Sequence, residues 1–424
     1  MGAFLKQSLT TQIVIAAFVA WATTQLLPFE KQTLLALSEP LSLIKLVYLG
    51  LLKAIVGIMV MFSLIEGISN IGSLVRLKQV GSVAVVYYLI TTTIAICIGL
   101  GAALMMPEWT PLTSAPPAAD SLTLIDDSSA QGVSILNKLF SMALMNPIAA
   151  LSGGNLLAIV TFSILIAIAL LATLDNSHPV FEVVKGVNQS ISTLVRGIIR
   201  LAPFAVFAIV FELTIESNST LFSQLFEFGL LVFGLTMIHS LIVLPVIAKL
   251  ATGTSPIPLF KAISAPMSMA LATSSSSATL PLSLQTAKEK LGVSDSTSSL
   301  VLPMGAVMNM DGTALFEGVA AVFLAQLFGI DLSTGAIVMI FLMAMVSSVG
   351  APGMPSGSMS GMQLVLLAAG IPLEAIAILL IIERPLDTFR TAVNVQGDLI
   401  GSMVVDRWSR KHSAETPKHT QVTN

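Results

Sequence analysis

Apolar residues run along this chain in blocks long enough to cross a bilayer, near 11–28, 53–72, 81–106, 136–174, 180–213 and 221–249. A hydrocarbon core about 30 Å thick needs roughly 20 apolar residues at about 1.5 Å each, so each block predicts at least one spanning helix. The block 136–174 is too long for one span and is interrupted at Asn146-Pro147 and Ser152-Gly153-Gly154, which predicts a segmented helix. The block 180–213 also exceeds the requirement and predicts a single, strongly tilted span. Beyond residue 255 the pattern changes. Ile257–Thr273 leads into Ser274-Ser275-Ser276-Ser277, and Thr279–Thr286 leads away; Gly335–Val346 leads into Ser347–Ser358, and Met362–Ala369 leads away. Arms of about 8–16 apolar residues make roughly 12–24 Å of helix, short of a span. They predict two re-entrant hairpins with polar tips at membrane depth. Irregular backbone is tolerated there only where protein or a water-filled cavity surrounds it.

After each hairpin comes a helix with polar groups set in apolar sequence. The first carries Asn309-Met310-Asp311-Gly312-Thr313 and Glu317; the second carries Asp387, Arg390, Thr391, Asn394 and Asp398. Hairpin then helix, twice, is an internal repeat, and paired interrupted segments are the best sequence pointer to a transporter's binding site. The predicted fold is an all-α polytopic membrane protein: eight transmembrane helices plus two re-entrant helical hairpins arranged as inverted repeats.

Composition agrees. The 424 residues are 55% apolar and 10% charged, with a mean hydropathy of +0.91, which no soluble domain of this length matches. A net charge of −3 gives no reason to expect nucleic acid as a partner. Cys97 is alone, which excludes a disulfide framework and any cysteine-based metal site. Residues 1–28 read as a first span rather than a signal peptide, because the apolar run continues to Pro28. Lys6, Arg76, Lys78, Lys185, Lys249, Lys261, Lys288 and Lys290 fall in alternate loops, and Arg407, Arg410, Lys411 and Lys418 cluster in the tail. The positive-inside rule therefore puts both termini in the cytoplasm. The loop 107–133, with four acids and no Lys or Arg, and the loop 214–220 are external. Lys31, Lys45, Lys53 and Lys138 depart from this pattern and are assigned to the outer interface. The tail 409–424 reads as disordered.

The segment 383–398, ERPLDTFRTAVNVQGD, holds five charges inside apolar sequence: Glu383, Arg384, Asp387, Arg390 and Asp398. Each costs roughly 2.5–3.5 kcal/mol at mid-bilayer, so they must face protein, water or ions and mark a functional site. At about 100° per residue, Asp387, Arg390, Thr391, Asn394 and Asp398 share an arc about 100° wide. The planar fork of Arg390 suits a ligand carboxylate, and Asp387, one turn away, suits an ammonium group. A ligand carrying both charges fits the pair: an amino acid with a second carboxylate. Asp398, Asn394 and Asp311 are hard oxygen ligands suited to a small cation. Lone His239 reads as a packed interior residue.

TSSSSATLP (273–281), MGAVMNMDGTALFEG (304–318), SSVGAPGMPSGS (347–358) and LDTFRTAVNVQGD (386–398) resemble the glutamate/aspartate transporter family, the dicarboxylate/amino acid:cation symporters. The resemblance covers nearly the whole chain and includes Tyr87-Tyr88-Leu89-Ile90-Thr91-Thr92 and Asn146-Pro147. It implies a homotrimer of elevator transporters in a bilayer, with scaffold helices 1–2 (1–75) and 4–5 (136–220). It implies a moving transport domain of helix 3 (76–106) and residues 221–408: helix 6, hairpin 1 (about 255–290), helix 7 (about 296–329), hairpin 2 (about 332–370) and helix 8 (about 371–408). An external loop occupies 107–135, and the second hairpin is the gate. The resemblance assigns the substrate to Ser275, Ser276, Met310, Thr313, Met354, Ser358, Asp387, Arg390, Thr391 and Asn394. For coupling sodium it implies one site at Gly305, Asn309, Asn394 and Asp398, and a second at Tyr88, Thr91, Thr92, Asn309 and Asp311. A third would use backbone oxygens of Val307, Met310, Ser348, Val349 and Ala351. No other cofactor is implied. Glu317 stands where animal members place a proton carrier; its residue-level reading is either that or a structural group. Archaeal members carry an Arg at the position of Ser274 and animal members at that of Thr388; this chain has neither, and Arg384 lies one turn before Thr388. Pro352 and Met354 alter the gate tip.

The expected function is sodium-coupled, and through Glu317 also proton-coupled, symport of acidic amino acids, with no enzymatic activity. A proton-coupled or neutral amino-acid/dicarboxylate carrier of the same fold is the alternative. Neutral members lack the Arg at 390 and plain dicarboxylate members the Asp at 387; both are present here. An intramembrane aspartyl protease using Asp311 and Asp387 leaves the hairpins unexplained, and a channel has no need of an Asp/Arg pair matched to a zwitterion. Compact loops point to a prokaryotic chain and hence to the inner membrane. Aspartate and glutamate differ by one methylene, worth about 1–3 kcal/mol, and stay undivided.

Overall fold

The computed structural model describes residues 9–25, 31–69, 80–112, 140–141, 143–153, 155–175, 177–216, 220–350 and 358–415. Most of these residues are helical, and no strand occurs among them. In chain order come α1 Leu9–Gln25, α2 Lys31–Ser69, α3 Ser82–Met105, α4 Pro147–Gly153, α5 Leu156–Thr173, α6 Pro179–Ile199, α7 Ala202–Glu216 and α8 Thr220–Ile238. A π-turn, His239–Val243, joins α8 to α9 Leu244–Thr252. Then follow α10 Pro256–Thr273, α11 Ser276–Glu289, α12 Asp295–Met308, α13 Asp311–Leu327, α14 Thr334–Gly350, α15 Ser358–Ala369 and α16 Ile376–Glu415.

Local chemistry explains most boundaries. Proline occupies the first turn of α6 and α10, where its missing N–H costs nothing. The side chain of Asn155 accepts from Ala158 N–H and starts α5 after α4 has ended at Gly153. Ser275 does the same for α11, accepting from Ala278 N–H at 3.2 Å. The first hairpin is thus α10 and α11, which turn at Ser274, the one non-glycine residue with positive φ (49°) among the described residues. The second is α14 and α15, whose tip at 351–357 lies outside the described residues.

The structure departs from expectation in three places. The block 180–213 is no single tilted span: Pro179–Ile199 and Ala202–Glu212 meet at 43°. Around Arg200-Leu201 the bonding tightens to i→i−3, with Leu201 N–H donating to the Ile198 carbonyl at 2.9 Å, and the bend there relieves the excess length. The segment 31–52 joins the apolar run after it into one 39-residue helix. Helix α16 continues to Glu415, so 409–415 is ordered helix; the Asp406–Arg410 ion pair (2.6 Å) closes one of its turns. By length and apolarity Ser82–Met105, Leu221–Thr252 and Asp295–Leu327 can each cross a membrane, with the bent pair as a fourth; these are counts over the described residues.

The packing is polar inside and apolar outside. Leu250, Ile148 and Leu46 are largely exposed, whereas Arg390, Asp311 and Glu317 are at most 1% exposed. Two apolar clusters sandwich those polar groups. One contains Ala95, Ile96, Val232, Leu235, Ala314, Leu315, Leu379 and both arms of the second hairpin. The other contains Tyr87, Tyr88, Leu244, Ala248, Leu300, Leu302, Val393, Leu399 and both arms of the first hairpin. Helices α3, α8–α9, α12–α13 and α16 each pass from one cluster to the other. They cross at Thr91-Thr92, at the π-turn, at Asn309-Met310 and at 387–394 respectively. The two hairpins approach that layer from opposite sides. The chain is a multi-pass membrane protein whose polar residues form one buried band.

Candidate substrate and cation site

Arg390 lies at one end of the band. Its Nη2 donates to Glu383 Oε1 at 3.0 Å, Asp387 Oδ1 at 3.3 Å and Ser358 Oγ at 3.2 Å. The guanidinium carbon sits 3.9 Å from the centroid of Phe316, a cation–π contact. Its Nε and Nη1 are buried and make no hydrogen bond among the described residues. The guanidinium therefore keeps unused donors, at opposite edges of its plane, that a carboxylate can engage. Arg384 Nη1 lies 3.8 Å from Asp387 Oδ2, so the arginine one turn before Thr388 does reach the aspartate. Asp387 thus lies between two guanidinium groups. Ser358 opens α15 and places the second hairpin directly on this cluster.

Two carboxylates lie at the other end. Asp398 Oδ1 accepts from Asn309 Nδ2 at 2.9 Å. Asp311 Oδ1 accepts from Thr92 at 2.7 Å and lies 3.2 Å from Thr91 Oγ1. Neither has a Lys or Arg within ion-pair distance among the described residues. A buried charge without a counter-charge is strongly unfavourable, so a cation placed between these carboxylates would be favoured. The donors nearby are hard oxygens. Helix stops at Asn309-Met310, whose dihedral angles are non-helical, and the break frees the last carbonyls of α12. Tyr88 hydroxyl donates to the Val301 carbonyl at 2.9 Å. Gly305 is the floor: a Cβ there would collide with the Asp398 carboxylate and lie 2.8 Å from the Tyr88 hydroxyl. Among the described residues no group of three or more His, Cys, Asp or Glu is placed to hold a metal.

Between the two ends, Asn394 Oδ1 accepts from Gly312 N–H at 2.8 Å and its Nδ2 meets Met310 Sδ at 3.3 Å. Thr313, Thr391, Ser275 and Ser276 are each buried. The five residues of the α16 arc are all at most 5% exposed. Ser348 is buried and donates to the Met345 carbonyl. Val349 packs on the first apolar cluster. Val307 instead faces α2: a Cβ on Gly67 would come within 2.9 Å of it. Met354 and Ala351 lie outside the described residues. A cavity of about 830 Å³, lined by Glu66, Asn188, Ser192, Ser275, Ser277 and Val307, reaches the first hairpin tip.

A profile of the sodium:dicarboxylate symporter family matches residues 9–408. The chain belongs to that family. Among its relatives, the proton/sodium-glutamate symport protein of Bacillus caldotenax is 30% identical over 374 residues, 88% of each chain. The proton/glutamate-aspartate symporter of Escherichia coli (strain K12) is 30% identical over 86% of this chain and 84% of its own. The neutral amino acid transporter B(0) of Oryctolagus cuniculus is 31% identical over 99% of this chain and 84% of its own. Membership makes this symporter a transport protein and not an enzyme.

Three partnerships in this family member were not visible in the sequence. Glu383, which reads there only as one more charge, is a counter-ion of Arg390; its place seven residues away, on the same helix face, was the available signal. Glu317 Oε1 accepts from Ser347 on α14 at 2.7 Å, while its Oε2 is buried without a partner among the described residues. Gly361 on α15 makes room for this bond, because a Cβ there would overlap Ser347 Oγ and Glu317 Oε1. His239 is interior, as expected, but its Nε2 lies 3.1 Å from Asp311 Oδ2. No local pattern couples residues 72 positions apart.

Proposed function

We propose that this symporter takes up an acidic amino acid, glutamate or aspartate, against its gradient by coupling it to sodium influx. One observation carries the reading. A single buried band presents an arginine with two unengaged nitrogens, an aspartate beside it, and two further carboxylates that lack counter-charges. The side-chain carboxylate of the substrate would take an unused donor of Arg390, and its ammonium group would take Asp387. Thr313, Thr391, Asn394 and the tip serines would supply the remaining hydrogen bonds. Sodium would neutralise Asp311 and Asp398, with Tyr88, Thr91, Thr92, Gly305 and Asn309 completing the shells. The third cluster would use backbone oxygens of Val307, Met310, Ser348, Val349 and Ala351. Met310 and Asn394 would serve ion and substrate sites at once, so binding of each favours the other, and that coupling is reciprocal.

In this reading α3, α8–α9, both hairpins, α12–α13 and α16 move together as an elevator past a scaffold of α1, α2 and α4–α7, within a homotrimer of the bacterial inner membrane and with cytoplasmic termini. The second hairpin is the gate. Glu317 would carry a proton, because its bond to Ser347 ties its charge state to that hairpin. Uptake of radiolabelled aspartate and glutamate into proteoliposomes, with sodium and pH gradients imposed separately, tests the proposal. Accumulation driven by sodium is expected; no accumulation under either gradient would refute it. Glu317→Gln should keep sodium-driven uptake and flatten its pH dependence, whereas an unchanged pH profile removes the proton role.

A further inference from the structure

Helix α8 does not run straight into α9. The π-turn His239–Val243 lies between them, and such turns are rare and concentrate at functional sites. Its first two residues both reach across the polar band. Ser240 Oγ donates to Gln396 Oε1 at 2.6 Å, and the Ser240 carbonyl accepts from Gln396 Nε2 at 2.8 Å. This reciprocal pair clamps the turn to α16 between Asn394 and Asp398. His239, fully buried, points instead at α13 and meets Asp311 Oδ2 at 3.1 Å. Its Nδ1 is buried and has no hydrogen-bond partner among the described residues. A hydrogen on Nδ1 would be a buried donor without an acceptor, so the ring hydrogen belongs on Nε2, aimed at the carboxylate.

Asp311 is then held from two helices. Thr92 of α3 occupies Oδ1; Thr91, with one hydrogen to share, faces both Oδ1 and the Tyr88 carbonyl, each at 3.2 Å. His239 occupies one lone pair of Oδ2. Rotation of the carboxylate is blocked, and one lone pair of Oδ2 stays open. We propose that His239 is a positioning residue for the cation cluster: its Nε2–H, presented by the π-turn, fixes the Asp311 carboxylate in the orientation that receives the ion. Partners that orient a ligand from behind typically change ion affinity by about 10–100-fold when removed. The inference rests on the sodium reading of Asp311 given under Proposed function.

The test is a sodium titration of the purified full-length protein without substrate, with choline as the replacing cation. The thermal unfolding midpoint reports apparent sodium affinity, because an ion that binds only the folded state raises it. His239→Leu, which removes the donor, should weaken sodium affinity about tenfold or more, and His239→Gln, which keeps an N–H, should stay within about threefold of the parent. The midpoint in sodium-free buffer separates loss of fold from loss of ion binding. Parent-like sodium affinity in His239→Leu, or equal weakening in Leu and Gln variants, overturns the proposal. Where the Leu variant does not fold, the Gln variant decides alone: parent-like affinity supports the role and a tenfold loss, cited on the same scale, overturns it. Asp311→Asn keeps the two readings apart. If it weakens sodium binding and His239→Leu does not, only the positioning role fails; if it too leaves sodium affinity unchanged, the cluster reading falls and the role with it.

Discussion

Arg390→Ala is the sharpest perturbation of the substrate site. Its Nη2 is already shared by Glu383, Asp387 and Ser358, so only Nε and Nη1 are available to a ligand. Those two nitrogens point to opposite sides of the guanidinium, so one carboxylate engages one of them, and a hydrogen bond to a charged group is worth about 1.5–3 kcal/mol. At about 1.4 kcal/mol per decade that amounts to roughly 10–10²-fold in affinity for an acidic substrate. Neutral amino acids never use those two nitrogens and should lose far less. The substitution also leaves the buried Glu383 with no arginine, a cost to folding of about 3–5 kcal/mol. Arg384 does not offset it, since it faces Asp387 at 3.8 Å. The double variant Glu383→Gln/Arg390→Ala removes the stranded charge and should recover folding without recovering acidic affinity. Aspartate, glutamate and serine binding, measured by calorimetry in saturating sodium, reads the difference directly. Unchanged acidic affinity, or proportionate loss of acidic and neutral substrates in a variant that still folds, would refute the reasoning.

Asp398→Asn removes one of the two carboxylates without a counter-charge and should raise the sodium concentration for half-maximal uptake about tenfold or more; a parent-like sodium curve would exclude it as a ligand. Gly361→Ala drives a methyl group into the Ser347–Glu317 bond and should destabilise by about 1–3 kcal/mol, seen as a lower unfolding midpoint, with a parent-like midpoint counting against the packing argument. Ser274→Gly relieves an L-residue held at positive φ, a strain of about 1–2 kcal/mol, less the added freedom of the unfolded chain. A slightly raised midpoint is expected, and a fall would show that the Ser274 side chain contributes more than its backbone strain costs.

The sequence by itself determined whatever depends on neighbours in the chain. Spanning length follows from apolar runs, helix breaks from Ser274–Ser277 and Asn146-Pro147, and the shared face of Asp387, Arg390, Thr391, Asn394 and Asp398 from the 3.6-residue period; the break at Asn309-Met310, inside what reads as one helix, came only with the structure. All five of those side chains are buried together. The bend near Arg200 escaped because an apolar block records its length and not its direction. Tertiary structure alone decided which helices meet at which depth. Packing register brings His239 to Asp311, Ser347 to Glu317 and Gln396 to Ser240, and it lays the polar crossings of four helices into one band between two apolar clusters. Helix periodicity says which face a residue shares but not how far one helix slides along another. That offset is set by side-chain interdigitation across the whole interface, and here it gave Asp311 a partner on a helix 72 residues away.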